Sequence, residues 1–183
     1  MLTFQLNDVL KDKLPDFQFY NIYLVRENDV IFYIGKAADA PERIKQHFGL
    51  SSSFNSFSSF ADLILKNNPK SKRWKVNFYT IDDCRKIVGT KHLPRYNHKN
   101  AQWPPPFPCE SYTKTKWREF NETAHDCRLL DDAEIAMIRH FRPCFNKTYN
   151  EYPSALPEKY MKQQHEAAAA RRAKWSLGYG DNL

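Results

Sequence analysis

Apolar and aromatic residues crowd into two short runs, Asn21-Ile22-Tyr23-Leu24-Val25-Arg26 and Ile31-Phe32-Tyr33-Ile34-Gly35, with the turn-forming Glu27-Asn28-Asp29 between them. β-Branched and aromatic side chains suit a pleated, half-buried surface, so the pair predicts a β-hairpin. Gly35 and Lys36 leave the sheet. Asp39 then stands where a carboxylate can accept from free helical N–H groups, Pro41 tolerates the first turn, and Glu42 completes a capping box. The helix so opened ends at Gly49. Ile44 and Phe48 form an apolar pair that docks on the sheet, while Arg43 and His47, four residues apart, project together from a neighbouring face.

Elsewhere the pattern is mainly helical. Residues 4–14 predict a helix with Leu6, Val9, Leu10 and Leu14 on one side, ended by Pro15. A serine-rich loop punctuated by Phe54 and Phe57 follows Gly49. Ser59 with Asp62 caps a helix from Phe60 to Lys66, closed by Asn67-Asn68-Pro69. A third strand is predicted from Val76 to Ile81. From Trp117 to Phe141 the pattern is helical, with Leu130, Glu134, Met137, Ile138 and Phe141 on one face and Arg142-Pro143 ending it. A last helix is predicted from Glu158 to Ser176. These elements predict an α/β (α+β) fold with a small three-stranded antiparallel sheet flanked by helices.

Composition narrows the class. A chain of 183 residues is one domain with additions. No run of eighteen apolar residues occurs and Met1-Leu2-Thr3 begins no signal peptide, so a soluble, cytoplasmic protein with no membrane partner is expected. Cys84, Cys109, Cys127 and Cys144 lack C-x-x-C spacing and fit reduced thiols better than a disulfide frame, with a zinc site from Cys109, His125 and Cys127 as the alternative. The net charge of +7 is unevenly spread: residues 1–83 carry eleven Lys/Arg against ten acids, whereas residues 84–128 carry nine against four. A polyanion would therefore be gripped largely by parts outside the hairpin region.

Several side chains can carry chemistry, each with a plainer alternative. Arg43 and His47 beside two strand tyrosines suit a phosphodiester, or form an ordinary basic helix face. Glu134 interrupts an apolar stripe; a lone buried carboxylate is costly and calls for a cation, either a hard divalent metal or Arg43. Lys70, Lys72, Arg73 and Lys75 are a solvated run or a phosphate contact. Residues 84–128 hold Trp103-Pro104-Pro105-Pro106-Phe107-Pro108, which is extended. There Arg95, Tyr96, His98, Lys99, Gln102 and Trp103 interleave bases, aromatics and amides, fitting either groove contacts or a structural lid. The final helix, with Arg171 and Arg172 among its bases, packs through Tyr160, Met161 and Trp175 or lies along a phosphate backbone.

Asn21-Ile22-Tyr23, nine residues, Tyr33-Ile34-Gly35-Lys36, then Ala40-Pro41-Glu42-Arg43-Ile44-Lys45-Gln46-His47-Phe48, resembles the core motif of the GIY-YIG nuclease superfamily. Glu134 and Arg142-Pro143-Cys144-Phe145-Asn146 are similar to that family's metal-binding glutamate helix and its following turn. The resemblance covers residues 18–83 and 129–148. It implies a stand-alone, restriction-type core at 18–83 and 129–150, with an N-terminal helical extension at 1–17, a basic insertion at 84–128 and a basic helical tail at 151–183. Asn21 replaces the usual first glycine, at a strand start where Asn costs little. The serine-rich loop lacks the further histidine some members place there.

What the resemblance implies is a metal-dependent DNA endonuclease cutting double-stranded DNA to 5′-phosphate and 3′-hydroxyl ends, most simply a sequence-specific type II restriction-like enzyme. A structure-selective or mobile-element nuclease and a non-catalytic DNA-binding module are the alternatives. Tyr23 would be the general base or the water-positioner, assisted by Lys36 and the metal field and by His47 as proton acceptor. Tyr33 would bind phosphate or orient water, Arg43 would neutralise phosphoryl oxygens, Asn146 would hold the neighbourhood of Glu134 or the backbone, and Glu134 would bind one Mg2+ or Mn2+ per active site. One site cuts one strand, so cutting both requires a homodimer on DNA or two events. Such a site needs both tyrosines on one sheet face. An unbulged two-residue turn would oppose them, so a three-residue loop or a β-bulge is predicted.

Overall fold

The computed structural model describes residues 1–15, 20–50, 58–93, 129–161 and 169. The chain runs β1 (Leu2–Gln5), α1 (Leu6–Leu10), β2 (Ile22–Glu27), β3 (Val30–Lys36), α2 (Ala40–His47), α3 (Ser59–Lys66), β4 (Trp74–Tyr79) and α4 (Ile81–Val88). Two further helical segments, α5 at 129–141 and α6 at 158–161, follow. The sheet has four strands, not three, in the order β1-β4-β2-β3, every pair antiparallel. No helix among the described residues is long and apolar enough to cross a membrane.

The extra strand comes from the N-terminus. Residues 2–5 pair with β4, Leu2 opposite Phe78 and Phe4 opposite Val76, and the predicted helix over 4–14 shrinks to α1. Leu2 and Phe4 alternate toward the core as a strand requires. At four residues the signal is too short to compete with the helical spacing of Leu6, Val9 and Leu10. These residues are therefore part of the sheet rather than an appended helix. Two boundaries also move. β4 ends at Tyr79, because Thr80 and Asp83 form a reciprocal capping box that starts α4. That helix spans the boundary expected at residue 83.

Strand alternation divides the core between the two sheet faces. On one face Tyr23, Val25, Phe32, Trp74, Val76 and Phe78 pack with Ile44 and Phe48, with Phe60, Leu63 and Ile64 of α3, and with Leu6 and Val9 of α1. On the other, Ile22, Leu24, Ile34 and Tyr79 meet Cys84 and Val88 of α4 and Ala133, Met137 and Ile138 of α5. Fully buried side chains of this size each contribute about 1.5–3 kcal/mol. Tyr160 of α6 joins the first face, edge-on to Phe32 at 5.3 Å, and Lys159 beside it reaches the buried Glu27 carboxylate at 2.9 Å. The tail thus begins as packed structure. Met161 is exposed, and Trp175 lies outside the described residues.

The hairpin turn is two residues long, with Glu27 opposite Val30 and Asn28 at φ +51°. Opposite Val25–Arg26, β3 carries one extra residue, Phe32, and this bulge shifts the register so that Val25 faces Tyr33 and Tyr23 faces Gly35. Phe32 and its neighbour Tyr33 consequently both serve the first face, while Ile31 and Ile34 serve the second. An unbulged strand could not do this. The bulge is what brings the two tyrosines together.

Candidate active site

Tyr23 sits mid-sheet on the central strand β2, almost wholly buried, and its hydroxyl lies 2.9 Å from Nε2 of His47. The histidine is delivered by α2, whose start is fixed by Asp39 accepting from the Glu42 N–H at 2.9 Å. The stop is set by Gly49 at φ +67°, with Leu50 N–H donating to the Lys45 carbonyl. Glu42 pairs with Lys45 at 2.7 Å. The Tyr33 ring lies 6.2 Å from Tyr23 and 5.1 Å from His47. Phe60 of α3 closes the cluster, stacked on Tyr33 at 4.8 Å and 4.9 Å from the imidazole.

Burial sets the protonation states. It lowers His47 to about 4, with the Arg43 charge acting the same way, so the imidazole is neutral near pH 7. Burial pushes the Tyr23 phenol well above its ordinary value; Tyr33 and Glu134 push the same way, while Arg43, by charge and hydrogen bond, pulls back. Tyr33 is raised for the same first reason, then by Glu134. In the tautomer that carries its proton on Nδ1, the neutral imidazole accepts at Nε2 and the protonated Tyr23 phenol donates to it.

Glu134 enters from the opposite layer. On α5 it follows the buried Ala133 and precedes Met137, both packed under the sheet, and its carboxylate reaches the end of β3. There Lys36 holds it through the backbone N–H and through the ammonium at 3.6 Å. The ammonium also pairs with Asp131, one turn earlier on α5. The cation partner of Glu134 is therefore Lys36 rather than Arg43. The expected influence of Lys36 on Tyr23 is replaced by that of Arg43, which also donates to Gln46 Oε1 at 2.8 Å. Burial still raises the Glu134 carboxyl above the ordinary range despite Lys36.

A divalent cation fits this carboxylate. The side chain is 17% exposed, its charge is only partly compensated, and the ammonium beside it is shared with Asp131. No group of three His, Cys, Asp or Glu converges among the described residues, so such an ion would take most of its ligands from water and substrate. Magnesium and manganese tolerate that arrangement.

Asn146 holds backbone, the second of the two parts expected of it. Its amide oxygen accepts from the Ile34 N–H at 2.9 Å and its NH2 donates to the Ile34 carbonyl at 2.8 Å, both buried. With Cys144 N–H on the Ile31 carbonyl and Phe145 N–H on that of Phe32, this segment covers the outer edge of β3 beside Tyr33 and Gly35. Lys72 and Arg73 stand exposed just before Trp74, which pairs with Glu27, whereas Tyr23 pairs with Phe78. Four residues along a strand, roughly 14 Å, separate those two levels, so this basic pair is remote from Tyr23. Arg95, His98, Lys99, Trp103, Arg171 and Arg172, and the zinc alternative at Cys109, His125 and Cys127, lie outside the described residues.

Sequence reasoning missed Phe60 and Gln46. Phe60 was legible in principle, since Phe60, Leu63 and Ile64 have helical i, i+3, i+4 spacing. Nothing local marks Gln46 as the partner of Arg43. No protein-family model, no curated protein and no solved structure matches the chain.

Proposed function

We propose that the chain is a divalent-metal-dependent DNA endonuclease with a GIY-YIG-like core, cutting phosphodiester bonds of double-stranded DNA to 5′-phosphate and 3′-hydroxyl ends. The observation that carries this is a single buried phenol, Tyr23, hydrogen-bonded to a neutral His47 and acted on at once by Arg43, Tyr33 and Glu134. These side chains come from β2, β3, α2 and α5, and their types match what hydrolysis of a phosphodiester asks for: a proton path, cationic stabilisation and a metal carboxylate.

In this mechanism Tyr23 does not act as a preformed phenolate, since burial opposes that. As the attacking water bonds to phosphorus, its proton passes to the Tyr23 oxygen while the Tyr23 proton passes to His47 Nε2. The P–O3′ bond breaks and the 3′ oxygen is protonated from solvent. The phosphate's own negative charge beside His47 favours the imidazolium that forms. Arg43 neutralises phosphoryl oxygens, and Tyr33, ring-locked by Phe60, donates to phosphate or water. Glu134 would hold the divalent ion, which when bound supplies Lewis-acid polarisation of the phosphate and stabilises charge on the departing oxygen. Cutting both strands takes a homodimer or two successive events.

Incubating the purified chain with duplex DNA and magnesium tests this. Cleavage is expected, is abolished by a chelator, and falls at least about a thousandfold in Glu134→Ala. Equal activity in wild type and Glu134→Ala removes the enzyme and leaves a DNA-binding module.

A further inference from the structure

Residues 144–146 run alongside β3 in the same direction, from the level of Ile31 to that of Ile34, and so toward Lys36. The chain leaves the strand at Asn146 and turns through 147–149 before folding back. Asn150, buried, donates to the carbonyls of Pro143 and Asn146, and Ser154 N–H donates to the Arg142 carbonyl. Residues 142–154 are thus a closed, hydrogen-bonded loop rooted beside the site. Its turn carries Tyr149 at φ +62°, half exposed, and Tyr152 follows at 71% exposed. Lys147 is exposed on the same turn.

A tyrosine in the left-handed region is strained, because its Cβ crowds the following carbonyl; Gly or Asn is the usual choice there. Here the strained residue is aromatic, is held by a buried asparagine next to it, and presents its ring to solvent rather than to the core. Strain of that kind collects where a side chain is kept ready for a ligand. A flat, sequence-tolerant ring beside a lysine, on a loop rooted at the edge of the strand that carries Tyr33 and Gly35, suits a nucleobase face. In a continuous duplex those faces are covered by stacking.

We propose that Tyr149 stacks on a nucleobase lying out of the helical stack beside the scissile phosphate. The substrate class is therefore DNA with an unpaired or extruded base at the cut. This rests on the endonuclease reading for the position of the phosphate, but not for the stacking itself.

The test uses the full chain as Glu134→Gln, so that binding is read without cleavage, with labelled duplexes that are fully paired, carry a single unpaired nucleotide, or carry an abasic residue at that place. The unpaired base is expected to tighten binding, and Tyr149→Ala to erase that gain, roughly five- to one-hundred-fold. Tyr149→Phe keeps it. Tyr149→Gly, which relieves the φ strain, is expected to melt at a higher temperature while still losing the preference, separating recognition from folding. Equal binding of all three duplexes, or a preference that survives Tyr149→Ala, overturns the proposal. Selective binding by a wild-type chain that cuts nothing in magnesium supports the stacking and overturns only the endonuclease.

Discussion

The Tyr23 hydroxyl lies directly over Gly35: a β-carbon built there would overlap it and stand 2.9 Å from Cε1 of Tyr33. The glycine is required because the bulge makes position 35 the cross-strand partner of Tyr23. Gly35→Ala is therefore expected to push the phenol off His47. Cleavage should fall about a hundredfold, as for any small misplacement of a reacting group, and stability by about 1–3 kcal/mol. Single-turnover rates with enzyme in excess, alongside urea unfolding, separate the two losses.

His47 makes stability pH-dependent with a definite sign. Its folded pKa is depressed from 6.5 to about 4, so between those values the unfolded chain takes up a proton that the folded protein refuses. This contribution is intact above 6.5 and is lost as pH falls toward 4. Thermal unfolding across that window is expected to show the decline in wild type and a shallower one in His47→Gln. An identical slope in both would mean the imidazole is not held neutral.

Asn146→Ala should act on the fold and only through it on the chemistry. It strands a buried N–H and a buried carbonyl of Ile34, at a cost of about 2–4 kcal/mol. Asn146→Asp should be no better, since a carboxylate would then face the Ile34 carbonyl. Chemical denaturation of both variants checks this, and a rate loss in either without a stability loss would contradict a purely structural role.

Lys159→Met should loosen the start of the tail. Glu27 is a buried carboxylate whose ion pair with Lys159 spans 2.9 Å. Because Lys159 is itself half exposed, the loss is expected to be modest, about 1–2 kcal/mol. Glu27→Gln in the Lys159→Met background should restore much of it, and a double-mutant cycle measures the coupling.

Local sequence determined the hairpin, α2 and the apolar face of α5. Each is written in neighbouring residues: turn chemistry at Asn28-Asp29, the Asp39 cap and Gly49 stop, and the 4, 3 and 4 spacing from Leu130 to Phe141. That two tyrosines, a guanidinium, an imidazole and a carboxylate belong to one set was an expectation carried by the family resemblance, not by any local signal. Some of what was missed was legible too, since the Thr80–Asp83 capping box marks α4 in four residues.

What the tertiary structure alone decided depends on distant pairing and on exclusion of water. β1 exists because Leu2–Gln5 finds the open edge of β4, seventy or more residues away, and no short-range signal encodes that partner. Lys36 turns to Glu134 and Asp131 rather than to Tyr23 because α5 packs beneath the end of β3. The two tyrosines share a face through a bulge rather than a longer loop. Above all, the protonation of Tyr23 and His47 follows from desolvation between two packed layers. A residue's charge state is a property of its surroundings, and those surroundings are assembled only when the chain folds.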